Sequence, residues 1–138
     1  MHALVAVDDS EPARAAFELA VSEHPDAEFT ALCVISPYDV GYGEAAQFGA
    51  DAFLEEQQET AEELLEDVRE HAAERGVSIA TETTVGQPTR EIVEYVEEHP
   101  IDRVFVGSHG RSGVSRILLG SVAEDVARRA PVPVTIVR

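Results

Sequence analysis

Five short strand-like runs, separated by segments of helical periodicity, constrain this chain more than any other feature. They are residues 3–7, 29–35, 77–85, 104–106 and 132–137. Residues 3–7 are continuously apolar, as suits a parallel strand buried on both faces, and 29–35 is a second apolar strand. Residues 77–85 alternate instead, with Val77, Ile79, Thr81, Thr83 and Val85 in step, which predicts a half-exposed strand at a sheet edge. The helical segments lie between them. Ser10 is placed to cap a helix with Pro12 in its first turn and Ala13, Ala16, Phe17, Ala20 and Val21 on one face, ended by Pro25. Residues 51–75 predict a long helix with Leu54, Ala61, Leu64 or Leu65, Val68 and Ala72 as its apolar stripe. A glutamate-rich solvated face covers the other side, and Gly76 ends the helix. Residues 89–98 follow the turn Gly86-Gln87-Pro88, and Ser121-Val122-Ala123-Glu124 reads as a capping box opening a last helix that runs to about Ala130. Strands alternating with helices predict an α/β fold: one open parallel sheet, right-handed crossovers, and helices on both faces.

The second constraint is Val104-Phe105-Val106-Gly107-Ser108-His109-Gly110-Arg111-Ser112-Gly113, where an apolar strand runs into a glycine-rich loop, followed after six residues by Gly120-Ser121. Glycine loops and helix starts expose unpaired amides that suit phosphate. Charge points the same way. The chain carries 27 Asp and Glu against 10 basic residues in 138 positions, a net charge of −17, yet residues 103–123 hold no acid. A given window of that length lacks acids by chance roughly one time in a hundred. An acid-free segment in an acidic chain is what an anion site needs.

The same composition sets bounds. A length of 138 residues fits one domain, 1–138, with a real core. No run approaches a membrane span, and the strong negative charge disfavours nucleic acid and anionic membranes as partners. The single Cys33 cannot form an intramolecular disulfide and reads as a core residue, which sets a cytoplasmic expectation. All ten basic residues are Arg, consistent with a salt-adapted protein. The absence of Lys excludes a P-loop lysine and a Schiff-base lysine. Residues 36–50, with Pro37, Gly41, Gly43 and Gly49, read as a connection rather than a lid.

Gly107-x2-Gly110-x9-Gly120-Ser121 resembles the ATP-binding signature of the universal stress protein family. The resemblance covers the whole chain: Val7-Asp8-Asp9-Ser10 after the first strand, Leu32-Cys33-Val34-Ile35 in the second, Gly86-x-Pro88, and Pro131 to Val137 all look like the family's corresponding segments. It implies a strand order of 3-2-1-4-5 in a Rossmann-like sheet of the adenine nucleotide alpha hydrolase type. It implies a homodimer, often through the last strands, here Val132–Val137, and ATP as the bound nucleotide, with Mg²⁺ or Mn²⁺ held through the phosphates. Carried over by position, Asp8 contacts the ribose and phosphate region and Val34 lies near adenine through its backbone. Gly107, Gly110 and Gly113 let the loop wrap the nucleotide. Gly120, Ser121 and Val122 bind phosphate through backbone amides and the Ser121 hydroxyl. Arg111 is the basic side chain assigned beside them.

No catalytic residue is assigned, and no metal ligand of the protein itself. A nucleophile elbow, a Walker loop and a Rossmann fingerprint after the first strand are all missing. His109 reads as a loop histidine bonded to backbone. The expectation is an ATP-binding regulator of the stress response. The alternatives are a slow ATP hydrolase or self-phosphorylating protein, and a dimeric interaction module that binds AMP, cyclic AMP or no nucleotide.

Overall fold

A computed structural model describes residues 1–37, 50–108 and 119–138. In chain order the elements are β1 (His2–Ala6), α1 (Glu11–Glu23), β2 (Glu28–Ile35), α2 (Ala50–Glu74), β3 (Ile79–Val85), α3 (Pro88–Glu98), β4 (Arg103–Gly107), α4 (Ser121–Arg129) and β5 (Val134–Val137). The five strands form one sheet in the order β3-β2-β1-β4-β5, and every neighbouring pair is parallel. Moving from β1 through β2 to β3 and then back across to β4 and β5 reverses direction once. Right-handed crossovers therefore put α1 and α2 on one face and α3 and α4 on the other.

Two apolar layers result. On one face Phe17, Ala20, Ala61, Leu65 and Ala72 pack on Val5, Ala31, Cys33 and Phe105. On the other, Ile92, Val96, Ala123 and Val126 pack on Leu4, Leu32, Val104 and Val106. The helix faces expected from periodicity are the ones buried, and Cys33 lies in the core. In α2 both Leu64 and Leu65 take part, Leu65 fully buried and Leu64 partly.

Local chemistry moves several boundaries. The third strand starts at Ile79 rather than Val77, because Val77 belongs to the end of α2. The Val77 amide donates to the Ala72 carbonyl at 2.9 Å, the Gly76 amide donates to that of Ala73 at 3.0 Å, and Gly76 sits at φ +72°. That bond pair is a Schellman motif, and it occupies the amide a strand ladder would need. β3 is an edge strand as expected, but its alternation fails near the end: Thr83 is exposed, Thr84 half-buried and Val85 41% exposed. The last strand starts at Val134, since Pro131 and Pro133 cannot donate to a ladder. Residues 38–49 of the expected 36–50 connection lie outside the described residues.

Candidate functional site

The reversal between β1 and β4 is the place where such sheets bind ligands, beyond the carboxyl ends of the strands. Leu4 pairs with Val104 and Val5 with Phe105. Continued along the chain, that register brings Asp8 level with Ser108. The acid after the first strand and the start of the glycine loop therefore share one end of the sheet.

Asp8 is half-buried, and its Oδ1 accepts the Ser10 amide at 2.8 Å. Ser10 in turn caps α1, its Oγ accepting the Ala13 amide at 3.2 Å. This side-chain turn is the local role available to any Asp before a helix. It engages one carboxylate oxygen and leaves Oδ2 outside that turn.

Gly107 has a packing reason to be glycine. A Cβ there would lie 2.8 Å from the Ala13 amide nitrogen and from both the carbonyl carbon and Cβ of Pro12. The first turn of α1 rests directly on the end of β4, and only a hydrogen fits between them.

Ser108 ties three segments together. Its amide donates to the Val137 carbonyl at the end of β5, and its carbonyl accepts the Gly120 amide, each at 2.6 Å. Residue composition alone does not reveal this role, although a small residue directly after the strand glycine is the available signal. Gly120 is the N-cap of α4, at φ −65° and ψ 151°, and no side chain caps the helix. The capping box expected of Ser121 and Glu124 does not form. Ser121 is the first helical residue and Gly120 holds the cap position, so Glu124 stands one residue beyond the box, and its side chain bonds Arg128 at 2.8 Å instead.

The same bonds correct the expected anion donors. The Gly120 amide is taken, so it cannot serve phosphate. The first intrahelical bond of α4 runs from the Glu124 amide to the Gly120 carbonyl at 3.0 Å. The amides of Ser121, Val122 and Ala123 therefore have no helical acceptor. Ser121 is exposed and Val122 half-buried, while Ala123 is buried at 2% exposure. This leaves Ser121 and Val122 as donors reachable by a ligand, at the positive end of the helix dipole.

Val34 lies near the top of β2. The Val7 amide donates to the Leu32 carbonyl at 2.9 Å, which is the last bond β1 makes to β2. Two residues on, Val34 turns its backbone to the same side, where β1 has ended. Its side chain packs toward the α3–α4 layer. Gly110, Arg111 and Gly113, with His109 and Arg116, lie outside the described residues. Arg103, which begins the acid-free segment, stands at the opposite end of β4 and donates to Thr135 Oγ1 at 3.2 Å. It takes no part in the crevice. Among the described residues no group of three His, Cys, Asp or Glu is placed to hold a metal ion, and no helix is long and apolar enough to cross a membrane.

A sequence profile of the universal stress protein family matches residues 1–138. The chain belongs to the universal stress protein family. Among its family relatives, a universal stress protein of Methanocaldococcus jannaschii is 38% identical over 120 residues, covering 86% of this chain and 69% of the relative. The fold agrees closely with that of the universal stress protein UspA from Lactobacillus plantarum, with a TM-score of 0.87 at 27% identity, over 100% of this chain and 97% of the other. A universal stress protein in complex with cAMP superposes with a TM-score of 0.74 at 25% identity, over 100% and 97% of the two chains. The family match accounts for the sheet order, which the resemblance implied.

Proposed function

We propose that this universal stress protein binds an adenine nucleotide, ATP foremost, in the crevice above β1 and β4, and acts as a cytoplasmic regulator or sensor rather than a catalyst. The observation that carries the reading is the open start of α4. Two reachable amides, Ser121 and Val122, face the same end of the sheet as Asp8, within a segment that holds no acid.

The roles are those the family resemblance implies, fitted to the described residues. The Ser121 and Val122 amides and the Ser121 hydroxyl bind phosphate. Asp8 offers its second oxygen to the ribose. The Val34 backbone meets the adenine edge. Gly110, Gly113 and Arg111 wrap the nucleotide, and Gly107 fixes where their loop leaves the sheet. A Mg²⁺ or Mn²⁺ ion rides on the phosphate oxygens and neutralises part of their charge. A second copy pairs along the free edge of β5, whose four residues are all half-buried in the single chain. The related structure with cAMP favours a second reading, in which a nucleoside monophosphate is the ligand.

The test is to denature protein purified in molar KCl without added ligand and identify released nucleotide by absorbance and mass spectrometry. ATP near one per chain is expected. AMP or cAMP favours the second reading, and ADP alone favours slow hydrolysis. No nucleotide, together with no binding of ATP plus Mg²⁺ on titration, removes the proposal.

A further inference from the structure

A cavity of about 270 Å³ opens between α1 and α2, beside the top of β1. It is near the small end of ligand pockets, which begin at about 300 Å³. Its apolar lining comes from Val7, directly after β1, and from Phe17, Leu64 and Val68 on two helices that pack on the core. The role assigned to the nucleotide crevice uses none of these four side chains.

The charges at its mouth are unevenly satisfied. Arg14 is paired with Asp9 at 3.2 Å, and Glu18 with Arg75. The His71 ring bonds the Asp67 carbonyl oxygen through Nδ1 at 2.8 Å. The carboxylates of Asp8 and Asp67 also line the cavity, and neither has an ion pair among the described residues. Arg14 and Arg75 are already engaged, so an occupant meets an apolar lining and two carboxylates that have no ion pair among the described residues. A chain of net charge −17 reinforces that potential.

We propose that the cavity between α1 and α2 binds a small organic cation with an apolar body. The apolar part displaces water from Val7, Phe17, Leu64 and Val68, and the positive group stays near the mouth, facing Asp8 and Asp67. The site is separate from the phosphate donors of α4 but shares Asp8 with the proposed crevice, so Asp67 and the apolar lining distinguish it, and the test uses protein without nucleotide.

The test uses benzyltrimethylammonium, with benzenesulfonate and benzyl alcohol as anionic and neutral counterparts. Each is titrated into the full chain while the amide resonances of Phe17, Leu64 and Val68 are followed by NMR. The cation is expected to give saturable shifts at these residues, and the anion none. The neutral alcohol should bind at least about fivefold more weakly than the cation. Val68→Phe fills the cavity and should abolish the shifts. Asp67→Asn leaves the volume intact and should weaken binding about threefold or more. Absence of saturable shifts, or equal binding of the cation and the neutral alcohol, overturns the proposal. So does undiminished binding by a folded Val68→Phe protein. If that variant does not fold, Asp67→Asn decides, and unchanged affinity there overturns the proposal equally.

Discussion

The Ser108 carbonyl accepts the Gly120 amide at 2.6 Å, while the Ser108 amide donates to the Val137 carbonyl at the same distance. One buried residue thus joins both ends of the glycine loop to the last strand. Gly120 sits at φ −65°, which proline also adopts. Gly120→Pro removes the donor, and Gly120→Ala retains it. The proline variant should lose about 1 kcal/mol of stability relative to the alanine variant. It should also bind ATP about tenfold more weakly, since the start of α4 is no longer held to the sheet. Calorimetric titration of both variants checks this, and equal affinities would count against the tie.

Asp8 separates a local role from a ligand role. Asp8→Asn keeps an oxygen to accept the Ser10 amide and removes the charge. Its stability should stay within about 0.5 kcal/mol of the parent. Its nucleotide affinity should fall about tenfold if the second oxygen meets the ribose. Asp8→Ala loses both functions and should be less stable by about 1 kcal/mol. Unchanged ATP affinity in Asp8→Asn reduces Asp8 to a turn former.

Gly107→Ala tests the contact between α1 and β4. The added methyl would stand 2.8 Å from backbone atoms of Pro12 and Ala13, which cannot rotate away. The expected loss is about 1–3 kcal/mol in denaturant unfolding. A variant as stable as the parent would mean that the first turn of α1 yields easily.

Tyr95 carries the pH prediction. Burial pushes its phenol above the ordinary value of 10.0, and the nearby Glu82 carboxylate pushes it further. The folded chain therefore holds the proton more tightly than the unfolded chain does. Its contribution is fully present below about pH 10 and is lost as pH rises toward the higher folded value. Stability should decline in that alkaline range, and less so in Tyr95→Phe. Identical alkaline profiles for the two proteins would refute the assignment to Tyr95.

Much of this fold can be read from sequence because its pattern is local. The α1 face from Ala13 to Val21, the Ser10 cap and the Gly76 stop each depend on neighbours within a turn or two. The candidate crevice is suggested for a different reason: the glycine spacing and the acid-free segment single out one stretch before any distance is known. The misreadings share a cause. Ser121 looks like a cap because Glu124 lies three residues on, but the Ser108 carbonyl, twelve positions upstream of Gly120, holds Gly120 at the cap position one residue earlier. Val77 fits a strand alternation, yet a helix end takes its amide. Arg103 belongs to the acid-free segment in sequence and to the far end of the sheet in space. Each outcome depends on a competing partner, and periodicity does not record competition.

The Ser108–Gly120 bond has a further consequence for the thermodynamics of recognition. It fixes two points about twelve residues apart, and closing a flexible ring of that size costs on the order of 2 kcal/mol in chain entropy. Folding meets that cost before any ligand arrives. If the crevice takes a nucleotide as proposed, the two ends of the loop, at Ser108 and Gly120, are already held together when it arrives. Cutting the backbone between residues 109 and 118 would keep every contact residue in the molecule and still weaken binding.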